Sequence, residues 1–196
     1  MKDTSIKKLS DQIWTTRISR VNAEKRLKST ASFVEGINIY YSCFTVLLSI
    51  ILLSKQSYVF SLLTLFMTIS LTISILFFKG LRYPERARDY RKNYTELQKL
   101  EFKLSHEITD EELLDIEQQY CVLLDDAENH ISFDYYKTVA ESSGDYKTDR
   151  WSDEIKFRYY LGLIWRYTLK CVVILLPIAL VIVIIWGQKY GWISST

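Results

Sequence analysis

Chemistry in a protein needs side chains that can attack, exchange a proton or hold a metal, and this chain offers few of them. It has two histidines, His106 and His130, and three cysteines, Cys43, Cys121 and Cys171. Neither histidine has a nucleophile or an acid at a spacing that marks a catalytic pair. The cysteines form no Cys-x-x-Cys or Cys/His cluster, so neither zinc nor a redox pair is indicated and reduced, buried thiols are expected. Asp125, Asp126, Glu128 and His130 lie close in sequence without sharing a helix face, which suits a solvated helix end better than a metal set. The chain is therefore expected to be no enzyme, with no catalytic residue, no metal and no cofactor.

Two other groups of side chains carry a pattern. Ser42, Thr45 and Ser49 recur at helical spacing, and Ser61, Thr64, Thr68 and Thr72 make a similar stripe, with Ser70 and Ser74 facing away. Such stripes have two readings. Each hydroxyl can bond back to a carbonyl or across to a neighbouring helix, letting helices approach closely, or the stripe can line a water-filled path through an oligomer. The second group is basic: Arg82, Arg86, Arg88, Arg91 and Lys92 crowd the start of one helix. They read as a topology signal, as a contact for anionic lipid, or as a holder of a phosphate-bearing ligand, although no Gly-rich cradle accompanies them.

The elements that must position these residues are set by hydrophobicity. Residues 37–53 and 58–78 lack any charge and are separated only by Ser54-Lys55-Gln56-Ser57. At helical rise they cover roughly 25 Å and roughly 31 Å, enough to span a bilayer as two antiparallel helices whose backbones satisfy themselves. A third uncharged run, within 169–187, lies near the C-terminus. No ionisable residue falls inside either arm of the hairpin, which disfavours a proton relay or an ion-coupled transporter. Eight Lys/Arg precede the first arm and eight more lie between Lys79 and Lys103, against Lys55 alone in the turn and Lys189 alone in the tail. By the positive-inside bias, the N-terminus and the middle region are cytoplasmic, and the turn and the C-terminus are outside.

The remaining segments read as helices. Residues 1–11 look frayed, and from Gln12 to about Val34 a helix puts Trp14, Ile18 and Val21 on one face, either packed on a helical bundle or lying among lipid headgroups. Gly80 and Pro84 mark a break before a helix with Ala87, Tyr90, Tyr94, Leu97, Leu100 and Leu104 on its apolar stripe. Thr109 with Glu112 is a capping box, followed by a near-heptad seam of Leu113, Ile116, Tyr120, Leu123 and Ala127. A short helix follows Ser132, and 141–145 is the strongest loop signal. From Ser152 a helical pattern runs into the third span, flanked by Trp165 and Tyr167 at one end and Trp186, Tyr190 and Trp192 at the other, with Lys170 placed to snorkel. Pro177 should kink that span or leave a carbonyl looking for a partner. The fold class is an all-α integral membrane protein. It divides into a basic N-terminal helix (1–36), a transmembrane hairpin (37–78), a cytoplasmic helical region (79–168), a third transmembrane helix (169–187) and an outside tail (188–196).

The order of these parts, with Tyr40-Tyr41-Ser42 early in the first span, the Tyr83-Pro84-Glu85-Arg86-Ala87-Arg88-Asp89-Tyr90-Arg91 exit, Tyr94 to Leu97, the Thr109 box, Tyr120 to His130 and Asp134-Tyr135, resembles the SLATT family. These are bacterial two-transmembrane effector proteins that associate with SMODS and SLOG nucleotide-signalling partners. The resemblance covers about 13–136, with a third span typical of only some members. It implies a defence effector of the bacterial inner membrane. Such a protein oligomerises and forms a pore when a partner senses infection, ending the host cell in an abortive response. The implied partner is a nucleotide-signalling protein or a reverse transcriptase encoded nearby, and direct binding of nucleic acid is not expected. The resemblance carries over no catalytic or ligand-binding residue. The apolar seams at 90–104 and 113–127 suit either oligomer contacts or packing within one chain. A membrane scaffold that holds a cytoplasmic partner without conducting is the competing reading.

Overall fold

A computed structural model of the chain describes residues 2–54, 58–104, 106, 108–141 and 152–190. Among these residues six helices follow one another: α1 (Lys2–Ser54), α2 (Tyr58–Gly80), α3 (Tyr83–Leu104), α4 (Asp110–Asp125), α5 (Ser132–Glu141) and α6 (Ser152–Lys189). Among the described residues there is no strand. The chain divides into two compact units, one of Met1–Ser29 with Tyr83–Leu163 and one of Thr30–Arg82 with Ile164–Thr196. The first holds the charged segments and the second the apolar ones.

The charged unit has a closed core. Leu9 and Ile13 of α1 meet Leu97, Leu100 and Leu104 of α3 and Ile116 of α4, with Ile6, Leu113, Tyr120 and Leu123 packed around them. A second cluster joins Ala23 and Leu27 to Ala87 and Tyr90. The stripes expected on α3 and α4 pack inward except at Tyr94, which is half-buried outside both clusters, and at Ala127, which lies beyond the end of α4. The N-terminal end differs from expectation. Residues 2–11 are helical rather than frayed, because Ile6, Leu9 and Ile13 recur at helical spacing beneath a composition dominated by polar residues. The buried face of α1 also differs, running through Leu9, Ile13, Ala23 and Leu27, whereas Trp14, Ile18 and Val21 are half-exposed.

Local signals explain the helix ends. The Thr109 hydroxyl accepts from the Glu112 N–H at 3.2 Å and the Glu112 carboxylate accepts from the Thr109 N–H at 2.7 Å, so the expected capping box is complete. At the break after α2, Arg82 has φ 48°, a left-handed conformation more usual for glycine, and its N–H reaches the Lys79 carbonyl at 3.3 Å. Pro84 enters the first turn of α3, where its missing N–H leaves no helical bond unmade. In the same unit α6 passes close to α5 at Gly162, where a Cβ would stand 3.1 Å from a ring carbon of Phe133. Phe133 also packs on Tyr159 at 5.4 Å between ring centroids.

The apolar unit buries little of itself. Leu48, Met67 and Pro177 are buried, while Val46, Leu47, Ile50, Phe66, Ile73 and most of the large side chains of α6 beyond Ile164 stand exposed. Among the described residues, three helices are long and apolar enough to cross a membrane. Exposed apolar surface on this scale needs a covering, and lipid supplies one. The expected turn at Lys55–Ser57, the loop after Glu141 and Trp192 lie outside the described residues.

Candidate functional site

The hydroxyl stripes sit on the two apolar arms, and each measured hydroxyl is engaged by its own helix. In α1 the Ser42, Thr45 and Ser49 side chains donate to the carbonyls of Asn38, Tyr41 and Thr45 at 2.8, 2.8 and 2.9 Å. In α2 Thr64, Thr68 and Thr72 donate to Phe60, Thr64 and Thr68 at 2.8, 2.8 and 3.0 Å. A hydroxyl whose proton is spent in this way keeps lone pairs that water or another helix can use. Ser49, Ser61, Thr68 and Thr72 are exposed, and Ser42, Thr45 and Thr64 are half-buried. Four of the seven hydroxyl residues, Ser49, Ser61, Thr68 and Thr72, therefore lie on surface that one chain leaves uncovered, and the other three are partly covered.

Pro177 shows what the third apolar helix needs. A proline cannot donate to the residue four before it, so the Val173 carbonyl is released from the ladder. The Tyr41 hydroxyl of α1 donates to that carbonyl at 2.7 Å, and Pro177 is fully buried. The expected orphan carbonyl is thus present and has a partner from another helix. Nearby, the Lys170 ammonium lies 4.9 Å from the Phe33 ring centroid and 5.9 Å from that of Tyr167, a cation–π arrangement.

The basic group at the start of α3 is divided by helical phase. Arg82 precedes the helix in the turn. Arg86 reaches Glu128 in a bidentate pair at 2.8 and 2.7 Å. Arg88, Arg91 and Lys92 are exposed on the other side of α3, with Arg88 3.9 Å from Glu85 and Arg91 3.9 Å from Glu24.

Composition concealed a polar junction in the charged unit. Arg20 is fully buried; its Nη1 donates to the Asn93 side chain and, at 2.8 Å, to the Leu123 carbonyl, while Nη2 donates to Leu124 at 3.3 Å. These are last-turn carbonyls of α4, which has no basic residue of its own there, so a guanidinium from α1 caps the negative helix end. Asn93 also donates to Leu123 at 2.8 Å. Burial pushes the Arg20 pKa down from its ordinary value. Beside it, Asp134 is buried and accepts both Arg26 nitrogens at 2.8 and 3.0 Å and the Ile131 N–H at 3.3 Å, which fixes the start of α5. Thr138 bonds Ser19 at 3.1 Å and accepts from Asn22 at 3.0 Å.

The segment 125–130 is thus only partly a solvated helix end. Asp125, Asp126 and Glu128 are exposed, but the Asn129 carbonyl accepts from Tyr90 at 3.0 Å. His130 is half-buried, and burial lowers its pKa below the usual imidazole value. Sequence patterning missed Arg20, Asn93, Asp134 and Tyr41 as organising residues. The available signals were the absence of a cation or glycine at the end of α4 and the proline in α6.

The family described as SMODS and SLOG-associating 2TM effector domain family 5 (SLATT_5) matches residues 2–184. The match extends beyond the 13–136 covered by the motifs and takes in most of α6, the third apolar helix, as well. No curated protein matches the chain, and no solved structure matches it.

Proposed function

The chain belongs to the SMODS and SLOG-associating 2TM effector family, and on that premise we propose that it is a pore-forming membrane effector held shut until a partner signals. In this reading the charged unit is cytoplasmic, the C-terminus is outside, and the membrane is the bacterial inner membrane, as the distribution of Lys and Arg favours. Several copies assemble, and on activation they breach the membrane and stop growth; the chain performs no catalysis. The observation that carries the reading is the placement of Ser49, Ser61, Thr68 and Thr72 at exposed positions of two uncharged arms. One chain contributes too few helices to enclose water, so a lining requires more than one copy.

One observation favours a second reading, a non-conducting anchor for a cytoplasmic partner. Every measured hydroxyl of the stripes already donates within its own helix, which lets lipid face them at little cost. Leakage separates the two. Potassium or dye release is measured from cells expressing the chain alone and from cells also expressing the protein encoded beside it. Release in one of those states and not the other supports a regulated pore. Intact membranes in both states after the triggering challenge, with the partner still recruited to the membrane, make the anchor the correct reading.

A further inference from the structure

The outer faces of α3 and α4 complement each other in register. On α3, Arg91, Thr95, Lys99 and Phe102 are exposed and step along the helix by four, four and three residues. On α4, Asp125, Cys121, Glu117 and Leu114 are exposed and step back by the same four, four and three. Laid antiparallel, the stripes place Arg91 on Asp125, Thr95 on Cys121, Lys99 on Glu117 and Phe102 on Leu114. Each stripe covers about 16 Å of helix at the normal rise. The apolar end is prominent, with Phe102 61% and Leu114 58% exposed. Charge supports the match, since α4 carries six acidic residues and no basic one.

The two stripes cannot meet within one chain. Both helices turn their opposite faces, Leu97, Leu100 and Leu104 on one and Ile116 on the other, into a shared core. We propose that the α3 stripe is the docking site for the α4 stripe of a second copy of this chain. Because the two surfaces differ, the contact is heterologous and repeats from copy to copy, closing as a ring if the rotation allows. The present contact of Lys99 with Glu96 at 2.7 Å is a surface pair, which exchanges partners at small cost, and Arg91 is exposed and only 3.9 Å from the buried Glu24, which keeps Lys28 at 2.5 Å. The inference rests on the assembly step of the proposed function and names its surface.

Register makes the test direct, because native Cys121 faces position 95. The full chain carrying Cys43→Ser, Cys171→Ser and Thr95→Cys is oxidised in its membranes with copper phenanthroline. A ladder of dimers, trimers and higher species is expected, at least tenfold above that from the same background with Asp89→Cys, an exposed α3 position off the stripe. Adding Lys99→Glu should cut the ladder about fivefold, and adding Glu117→Lys to that chain should restore it. Absence of cross-linked species, equal ladders from Thr95→Cys and Asp89→Cys, or cross-links only to a different protein would each overturn the proposal. A ladder in membranes that never leak leaves the docking intact and removes the pore. Leakage without a ladder does the reverse.

Discussion

Arg20 illustrates how a single cation can organise a helical unit. A guanidinium with no exposure is normally a liability, since burial disfavours its charge. Here it answers a need elsewhere, because the last turn of α4 ends in carbonyls without a cation of its own. Asn93 shares the Leu123 carbonyl, so the contact ties α1, α3 and α4 at one point. Replacing Arg20→Met should keep the apolar stem and strand those acceptors, at a cost of about 3 kcal/mol. Arg20→Lys should recover only part of this, because an ammonium cannot reproduce the planar fork. Thermal unfolding of the detergent-solubilised chain measures the loss, and hydrogen exchange in the last turn of α4 localises it. Parent-like stability for Arg20→Met would mean that water serves those carbonyls equally well.

At the scale of the element, α1 and α6 show opposite solutions to the same accounting of backbone groups. In α1 the ladder is complete, and the hydroxyls of Ser42, Thr45 and Ser49 fold back on it. In α6 the ladder is broken at Pro177 and mended from outside by Tyr41. Removing that hydroxyl in Tyr41→Phe should cost about 1 kcal/mol, the usual scale of a hydrogen bond between membrane helices. The same change should cost nothing on a Pro177→Ala background, because the restored N–H then serves the Val173 carbonyl. A double-mutant cycle read by unfolding in detergent gives the coupling. Equal losses on both backgrounds would show that Tyr41 contributes by packing rather than by that bond.

Across the whole molecule the two units differ in what they leave uncovered. The charged unit closes around its own core, whereas the apolar unit buries Leu48, Met67 and Pro177 and leaves most other large side chains outward. Only its surroundings can complete it. If those surroundings include further copies around water, Thr68→Lys places a cation on the lining and should lower potassium release about tenfold, equivalent to about 1.4 kcal/mol of barrier. The readout is the leakage assay on cells matched for membrane-inserted protein. Unchanged leakage would remove Thr68 from the lining.

Much of this architecture was legible in the sequence, because it depends on local and additive properties. Uncharged runs long enough for a bilayer, the Thr109–Glu112 box, the stripes of α3 and α4, and the carbonyl freed by Pro177 follow from residue type and helical period alone. Family membership was legible for a similar reason, through short ordered motifs. Tertiary structure decided which polar residues go inside. Polar composition hides a buried face whenever its partners come from distant segments, as Leu123 and Asn93 do for Arg20, Asp134 does for Arg26 and Thr138 does for Asn22. The choice of Tyr41 for the Val173 carbonyl belongs to the same class. A periodic pattern states that a donor lies on a face, but only the packed chain determines which acceptor lies opposite it.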